Sequence, residues 1–333
     1  MGKTCRSIIT GVEKFYPENI VTNADMEKLV DTSDEWIQTR TGIKQRYRVS
    51  KGQGASDLAT MAIQKLLKKR KINADEIDLI IVGTVTPDTL FPSTACRIQE
   101  KIGAKHAWGF DVSAACSGFI FSLTTADQFI QTEKYKKVLV VGVDVMSSIL
   151  DYTDRNTCVL FGDGCGVVLL EPEPMDSELG ILDNICHIDG SGGHLLYMPG
   201  GGSLNPTSLS TVENKMHYVH QEGKQVFKFA VSEMANVCEE VLEKNNLQPS
   251  DVDLFIPHQA NLRIIESCQK KLGLTNDQVV INIDLCANTT AATIPTCLSM
   301  AVDDGRLTKG KLVLCASFGA GFTWGASLIR WAY

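Results

Sequence analysis

The sequence predicts an α/β protein built from two similar halves. Three segments recur along the chain in the same order and at nearly one offset. Residues 55–78 align without a gap with residues 230–253, residues 110–115 align with 283–288, and residues 137–140 align with 311–314. The offsets are 175, 173 and 174 residues. A period this long excludes a solenoid and indicates one duplicated unit.

The first recurring pair predicts an amphipathic helix followed by a strand. Apolar residues recur at spacings of three and four, which is typical of a helix with one buried face. A polar loop and a short apolar run follow in each half, at residues 79–82 and 254–256. The residues that mark the two helix faces are Leu58, Met61, Ala62 and Leu66, then Met234, Val237 and Val241.

The other two pairs predict strands, with residues 109–112 and 138–143 in the first half and 279–284 and 312–315 in the second. Continuous apolar strands fit a mixed or mainly parallel sheet that helices cover on both faces. The Pro- and Glu-rich residues 171–178 interrupt the pattern. We therefore place the halves at residues 1–175 and 176–333.

Composition excludes several functional classes. The chain has 333 residues, of which 44% are apolar and 21% charged, so it is expected to be globular. The net charge of -7 disfavours nucleic acid and anionic membranes as partners. The apolar runs are too short to span a bilayer. Eleven cysteines without any Cys-x-x-Cys pair argue against a disulfide scaffold or a structural zinc site and predict a cytoplasmic protein.

Cys116 is the first candidate for chemistry. Duplicated α/β proteins tend to carry their sites at the carboxyl ends of corresponding strands. The strand at residues 109–112 ends in Ser-Ala-Ala-Cys-Ser-Gly, and a helix is predicted over residues 119–131. A thiol at a helix N-terminus is expected to have a lowered pKa and to be nucleophilic.

The second half supplies His258 and Asn288 at related strand ends. A glycine-rich turn at residues 317–321 follows a further strand, and its backbone N–H groups could face an oxyanion. A papain-type hydrolase also combines Cys, His and Asn. The duplication and the Asn-Thr-Thr context of Asn288 argue against that class.

These motifs resemble the condensing enzymes of the thiolase superfamily, most closely the β-ketoacyl-acyl-carrier-protein synthase III family. The resemblance covers the whole chain, and its specificity comes from the joint pattern. The matching segments are residues 114–119, 257–261 and 287–290, together with 31–43, 91–93, 154–155, 161–164 and 321–325.

The resemblance implies a thiolase-like five-layer αβαβα fold and a decarboxylating Claisen condensation. An acyl-CoA primer, expected to be acetyl-CoA, would acylate Cys116. Malonyl on acyl carrier protein would then lose carbon dioxide and attack the acyl-cysteine. The product would be 3-oxoacyl-acyl carrier protein, the start of fatty-acid biosynthesis. No metal or cofactor is implied beyond the coenzyme A thioester, which is a substrate.

The resemblance also implies residue roles. Neutral His258, through Nε2–H, and Asn288 would donate hydrogen bonds to the enolate. The backbone N–H groups of Cys116 and Ala320 would form the oxyanion hole. Many relatives have Gly in place of Ala320, but a backbone donor should tolerate the added methyl group. The implied substrate contacts are Trp36 and Arg155 around the adenine, Arg40 near the phosphates, Asn261 along pantetheine and Phe227 in the channel.

Two partners follow from the resemblance. Phe91 would reach across a two-fold interface into the acyl pocket of a second copy, which predicts a homodimer. Arg263 matches the arginine that docks acyl carrier protein. Nearby lysines are interpreted as a solvated surface. They are Lys224, Lys228, Lys270 and Lys271.

Some positions do not determine which substrate the enzyme uses. Gln221 stands where relatives often have Met, at the expected substrate mouth, so the primer is not determined. Residues 198–206 could be a lid or a plain insertion. Cys315 is expected to be core rather than a second catalytic thiol, and residues 162–166 are expected to form a structural turn.

Two alternative functions remain. One is a related condensing or acyl-transfer enzyme of secondary metabolism with another primer or acceptor. The other is a non-catalytic acyl-CoA or carrier-protein binding module, which the intact set of Cys116, His258 and Asn288 disfavours.

Overall fold

The computed structural model describes residues 5–333. Its strands are β1 (Cys5–Phe15), β2 (Asn19–Thr22), β3 (Gln45–Arg48), β4 (Leu79–Gly83), β5 (Trp108–Val112), β6 (Val138–Val145), β7 (Asp163–Pro174), β8 (Gly180–Ile188), β9 (Leu196–Tyr197), β10 (His220–Gln221), β11 (Leu254–Pro257), β12 (Leu312–Gly319) and β13 (Thr323–Arg330). Its α-helices are α1 (Asn23–Met26), α2 (Asp34–Thr41), α3 (Ala55–Arg70), α4 (Thr94–Ile102), α5 (Gly118–Gln131), α6 (Leu209–Glu213), α7 (Gly223–Lys244), α8 (Leu262–Leu272), α9 (Ile283–Cys286) and α10 (Thr293–Asp303).

Two mixed sheets form the body of the molecule. The first has the strand order β1-β7-β6-β4-β5, and the second has the order β11-β12-β13-β8. In the first sheet, β4 runs parallel to β5 and β6, whereas β7 is antiparallel to both β6 and β1. In the second, β11 and β12 are parallel and β13 is antiparallel to β12 and β8.

The duplication is visible in the register of the central strands. Leu79 of β4 pairs with Val138 of β6, and Leu254 of β11 pairs with Val313 of β12. Both members of the second pair lie 175 residues after their counterparts in the first. The sequence offset therefore corresponds to the same strand pairing in each sheet.

One of the predicted strands in the second half, at residues 279–284, was wrong. Residues 279–284, expected to be a strand, contribute only an isolated parallel bridge between Val279 and Phe255. The chain then turns into the short helix α9 and reaches Ala287 with a positive φ of 58°. The second sheet consequently has no counterpart of β5, and the backbone before Asn288 is helical.

Helices and sheets alternate in five layers, which confirms the predicted αβαβα fold. α3 and α4 pack on the outer face of the first sheet, and α7 and α8 cover the second sheet. α5 and α10 lie between the sheets, where their apolar residues share one buried cluster with both. This central layer matters for function because both helices begin beside the candidate site.

Two local expectations need correction. Residues 163–166, predicted as a turn, begin β7 and pair with β1 and β6. The Pro-containing residues 172–174 extend the same strand, so the irregular connection is only residues 175–179. The chain passes there from the first sheet to the second. The boundary between halves at residue 175 stays a prediction.

No helix within residues 5–333 is both long enough and apolar enough to cross a lipid bilayer.

The central layer approaches β6 so closely that a side chain at Gly142 would not fit. A Cβ atom there would lie 2.2 Å from the carbonyl oxygen of Ala291. We expect Gly142→Ala to lower the free energy of unfolding by about 1–3 kcal/mol or more, because backbone must move to relieve the overlap. Gly202→Ala is the matched control, since nothing lies within 4 Å of its Cβ position. Urea unfolding measures both, and equal midpoints would contradict the contact.

Candidate active site

One cavity of about 600 Å³ brings together most of the predicted site residues. It extends from Arg40, which is exposed, to Cys116 and His258, which are 7% and 1% exposed. The cavity is thus a channel from the surface to a buried end. The predicted residues that line it are Trp36, Arg40, Cys116, Phe227, His258, Asn261, Arg263 and Asn288.

Cys116 lies on a tight turn between β5 and α5. Residues 115–117 form a single 3₁₀ turn, and Ala115 adopts a positive φ of 46°. Two hydrogen bonds fix this turn to β13. The Ser117 hydroxyl donates to the Thr323 carbonyl at 3.0 Å, and the Thr323 hydroxyl donates to the Ala114 carbonyl at 2.9 Å. The second half of the chain therefore holds the turn that carries Cys116.

The pKa of Cys116 differs from the sequence-based expectation. Burial raises the pKa of the thiol to about 12, and the negative charge of Asp144 adds to the rise. The start of α5 was expected to lower it. Desolvation disfavours the thiolate, so the resting side chain is a thiol.

His258 follows β11, and contacts at its backbone N–H and at Nδ1 hold it in place. Its backbone N–H donates to the Ala316 carbonyl of β12 at 2.7 Å, and its Nδ1 lies 2.7 Å from the Thr293 hydroxyl oxygen. Nε2 is buried and has no hydrogen-bond partner within residues 5–333. Burial lowers the pKa of the imidazole to about 3, so His258 is neutral at physiological pH.

Asn288 faces the cavity with a fixed amide. Its side-chain oxygen accepts a hydrogen bond from the Thr290 backbone N–H at 2.9 Å. Its own backbone N–H donates to the Leu160 carbonyl at 3.0 Å. With the oxygen engaged, the amide nitrogen is the group left to act as a donor toward the cavity.

Asp144 is a site neighbour that the sequence reasoning missed. Its carboxylate, fully buried in β6, accepts hydrogen bonds from the loop after β4 and from the segment after Asn288. A lone acidic residue within the otherwise apolar run 138–145 was the available signal. Its donors are the hydroxyls of Thr84, Thr86 and Thr290 and the backbone N–H groups of Val85, Thr86 and Ala291.

Aromatic and basic side chains surround the outer end of the cavity. Trp36 lies on α2, where the Ser33 hydroxyl caps the helix by accepting from the Trp36 N–H at 3.1 Å. The guanidinium of Arg155 lies 5.4 Å from the indole centroid, and that of Arg40 lies 6.0 Å away. The Asp31 carbonyl holds Arg155 through a 2.8 Å hydrogen bond. Arg155 thus covers Trp36 directly.

The residues around α8 form another part of the wall. Asn261 caps the helix through its side-chain oxygen, which accepts from the Arg263 N–H at 2.9 Å, and its amide donates to the Arg40 carbonyl at 3.0 Å. The exposed Arg263 places its guanidinium 5.3 Å from the Phe227 ring centroid. Gln221 also lines the cavity. A polar side chain therefore does stand at the expected mouth.

Three predicted residues, Arg155, Ala320 and Phe91, lie outside the cavity wall. Ala320 follows Gly319, which does line the cavity and whose added Cβ would come within 2.7 Å of the Cys116 backbone nitrogen. Phe91 is 85% exposed, so its side chain is not buried within its own chain. Cys315 is completely buried, in agreement with the expectation that it belongs to the core.

Comparisons with known proteins agree with this geometry. The family model described as "3-Oxoacyl-[acyl-carrier-protein (ACP)] synthase III" matches residues 110–190, and its C-terminal counterpart matches residues 242–331. A β-ketoacyl-[acyl-carrier-protein] synthase III of Koribacter versatilis is 54% identical over 98% of both chains. The chain belongs to the β-ketoacyl-[acyl-carrier-protein] synthase III family.

Other relatives agree with this membership. The synthase III of Solibacter usitatus is 53% identical, again over 98% of each chain. The crystal structure of 3-oxoacyl-[acyl-carrier-protein] synthase III from Aquifex aeolicus VF5 superposes with a TM-score of 0.90 at 42% identity, over 98% of this chain and all of that one. Membership confirms the predicted class of enzyme, an acyltransferase that initiates fatty-acid synthesis by condensation.

The low pKa of His258 leads to a prediction for this synthase III. Since the group is protonated only below about pH 3, the neutral imidazole persists from pH 5 to 8. We expect the steady-state condensation rate to show no inflection near the ordinary histidine pKa of about 6.5. A pH profile of kcat between 5 and 8 measures this, with thermal unfolding as a check on integrity at each pH. A rate that falls below pH 6.5 with one proton would contradict the neutral assignment.

Proposed function

We propose that this enzyme condenses an acyl-CoA primer, with acetyl-CoA as the expected one, with malonyl-acyl carrier protein. The observation that supports the proposal most strongly is the shared buried end of one channel. Cys116, the unpartnered Nε2 of His258 and Asn288 all lie there. A nucleophile and two hydrogen-bond donors are what an acyl transfer followed by decarboxylation requires.

The first half-reaction uses Cys116. The Cys116 thiol gives up its proton as its sulfur attacks the thioester carbonyl of acyl-CoA. The tetrahedral intermediate then breaks its bond to the coenzyme A sulfur, which takes up one proton and leaves as a thiol, and the acyl group remains on the enzyme. The backbone N–H groups of Cys116 and Ala320 are the proposed oxyanion donors. The close approach of Gly319 to the Cys116 backbone supports this, because Ala320 is the next residue along the chain.

The second half-reaction uses His258 and Asn288. Malonyl carried on acyl carrier protein loses carbon dioxide, and the electron pair of the broken bond forms an enolate. Nε2–H of His258 and the amide of Asn288 donate to the enolate oxygen. The enolate carbon then attacks the acyl-cysteine and releases the Cys116 thiolate. A neutral histidine suits this step because it donates without carrying a buried charge.

The outer channel is proposed to bind coenzyme A. The adenine would stack on Trp36, with Arg155 as its second neighbour and Arg40 near the phosphates. Stacking of an indole and a guanidinium on a purine is physically favourable. Arg155 already occupies the indole face, so it must move aside to admit the base. Asn261 and Phe227 would then flank the pantetheine arm.

Arg263 is the proposed contact for acyl carrier protein. It is exposed at the channel wall, and it would offer an acidic carrier a local positive charge on an enzyme whose net charge is -7. Arginine suits such a contact because its fork can bind two carboxylate oxygens together. No cofactor beyond the thioester substrate enters the proposed reaction. The free state of all eleven cysteines supports the proposed cytoplasmic location.

Acyl-enzyme formation tests the nucleophile. After incubation with acetyl-CoA, mass spectrometry of the intact protein should show one added acetyl group, and peptide mapping should place it on Cys116. Cys116→Ala should abolish the adduct. Cys315→Ala is the matched control, because it removes a buried thiol outside the channel and should still be acylated. An adduct that persists in Cys116→Ala would refute the assignment.

Loss of either enolate donor should slow the second half-reaction and leave the first unchanged. We expect His258→Ala or Asn288→Ala to lower the condensation kcat by about 10²–10³, the usual cost of one preorganised donor. Acylation of Cys116 should continue in both variants, since neither donor faces the acyl-CoA carbonyl in the proposal. Assays with malonyl-acyl carrier protein measure decarboxylation, and an unchanged rate would overturn the roles.

The enzyme is also proposed to act as a homodimer. Leu90 and Phe91 are 82% and 85% exposed, and β5 is an edge strand of the first sheet. Exposed apolar side chains beside an open strand edge are typical of an interface. A second copy would cover them, and Phe91 would enter the partner's acyl pocket.

Sedimentation tests the dimer. The wild type should sediment as a dimer at micromolar concentration, and Phe91→Glu should shift it toward monomer. Met61→Glu is the control, because Met61 is a partly exposed apolar residue on the outer helix α3. A monomeric wild type, or equal behaviour of the two variants, would contradict an interface at Phe91.

A further inference from the structure

Within residues 5–333, one side chain hydrogen-bonds to the imidazole of His258 and can fix its proton. That neighbour is Thr293, the first residue of α10, whose hydroxyl oxygen lies 2.7 Å from Nδ1. Both residues are buried, at 1% and 0% exposure. Nε2, on the opposite side of the ring, lacks a hydrogen-bond partner within residues 5–333. Which nitrogen carries the proton therefore depends on the bond made at Nδ1.

The Thr293 hydroxyl can make that bond in two ways. It lies 3.0 Å from the Thr290 carbonyl oxygen as well as 2.7 Å from His258 Nδ1. When its single hydrogen points at Thr290, the hydroxyl accepts from Nδ1–H and Nε2 is a bare acceptor. When the hydrogen points at Nδ1, the ring proton is on Nε2. Rotation of one hydroxyl converts one arrangement into the other.

Only the second arrangement can stabilise an enolate, because the oxygen needs a donor. We propose that Thr293 is a positioning residue that supplies the Nε2–H tautomer of His258 for decarboxylation and condensation. This inference rests on the proposed function. Thr293 does not touch the substrate, and its contribution reaches the reacting atoms only through the imidazole.

The support for Thr293 is unusually rigid. Thr290, whose carbonyl offers the alternative acceptor, donates its own hydroxyl to the buried carboxylate of Asp144. The Thr290 backbone N–H in turn fixes the amide of Asn288. One short segment thus orients both proposed enolate donors. In this segment the Thr293 hydroxyl is the group whose hydrogen can point in two directions, because Thr290 bonds to the Asp144 carboxylate and the Asn288 amide oxygen, which act only as acceptors.

Other polar groups near His258 are already committed. The Gln259 amide donates to the carbonyls of Pro257 and Val280, and its oxygen accepts from the Asn282 N–H at 3.0 Å. Gln259 is itself completely buried. Gln259 is therefore not free to replace Thr293 as the partner of His258 Nδ1. Replacing the Thr293 hydroxyl by a methyl group, as in Thr293→Val, would leave Nδ1 facing that methyl group.

The test compares three substitutions. Thr293→Val removes the hydroxyl at constant shape, and Thr293→Ser restores it. Thr296→Val is the matched control, because Thr296 is equally buried on α10 and makes the same kind of helix bond, to the Thr293 carbonyl at 2.9 Å, without contacting His258. Each protein is assayed for acylation of Cys116 by acetyl-CoA and for condensation with malonyl-acyl carrier protein.

We expect Thr293→Val to lower the condensation kcat by about 10- to 100-fold, the range known for partners that orient metal-bound histidines. The KM for malonyl-acyl carrier protein and the acylation rate should stay within about twofold of wild type. Thr293→Ser and Thr296→Val should retain at least half of the wild-type kcat. Unchanged condensation in Thr293→Val overturns the inference, and so does an equal loss of acylation, which would indicate a structural role.

A measurement on the wild type keeps the inference testable if Thr293→Val does not fold. Nitrogen-15 NMR of histidine-labelled acetyl-enzyme, with His258 assigned by comparison with His258→Ala, distinguishes the two ring nitrogens. A protonated Nε2 with an unprotonated Nδ1 is expected. The reverse pattern overturns the inference. A wild type that is acylated but never condenses would instead refute the proposed function.

Discussion

The site depends on a carboxylate that is completely removed from water. Asp144 of β6 receives donors from the loop after β4 and from residues 290–291, which belong to the other half of the chain. A buried charge without partners costs several kcal/mol, so these contacts constrain where each donor can lie. Burial still raises the pKa of Asp144, because the hydrogen bonds offset only part of the desolvation. The segment that carries Asn288 and Thr293 therefore has one position relative to the first sheet.

The duplicated sheets could be predicted from the sequence because their strands are apolar and recur in register. The pairs β4–β6 and β11–β12 follow directly from the repeat. Residues 283–286 could not be predicted in the same way. Four residues, Ile-Asp-Leu-Cys, fit a strand or one helical turn equally well, and packing in the second sheet decides between them. The positive φ of Ala287 that redirects the chain to Asn288 leaves no trace in periodicity.

The candidate site could also be predicted only in part from the sequence. Cys116 and His258 could be found because strand ends gather on one side of a sheet. Asn288 was found from its Ala-Asn-Thr-Thr segment, although a helical turn and not a strand precedes it. The pKa of Cys116 could not, since its position before α5 predicts a decrease, whereas the burial that raises the pKa most, and the nearby Asp144, both depend on tertiary packing. The contact between His258 and Thr293 spans 35 residues and joins the end of a strand to the start of α10. No local pattern records such a contact.

In the proposed binding mode, the contact of Arg155 with Trp36 affects the binding of the two substrates differently. A coenzyme A whose adenine takes the indole face must first displace the guanidinium and its bond to Asp31. Its apparent dissociation constant is then the intrinsic one divided by the fraction of molecules in which Arg155 has swung away. A thioester on a carrier protein presents the pantetheine arm without adenine and avoids that factor. In the proposed binding mode, the closed stack weakens the binding of acyl-CoA and of released coenzyme A by the same factor, and leaves the carrier-protein substrate unaffected.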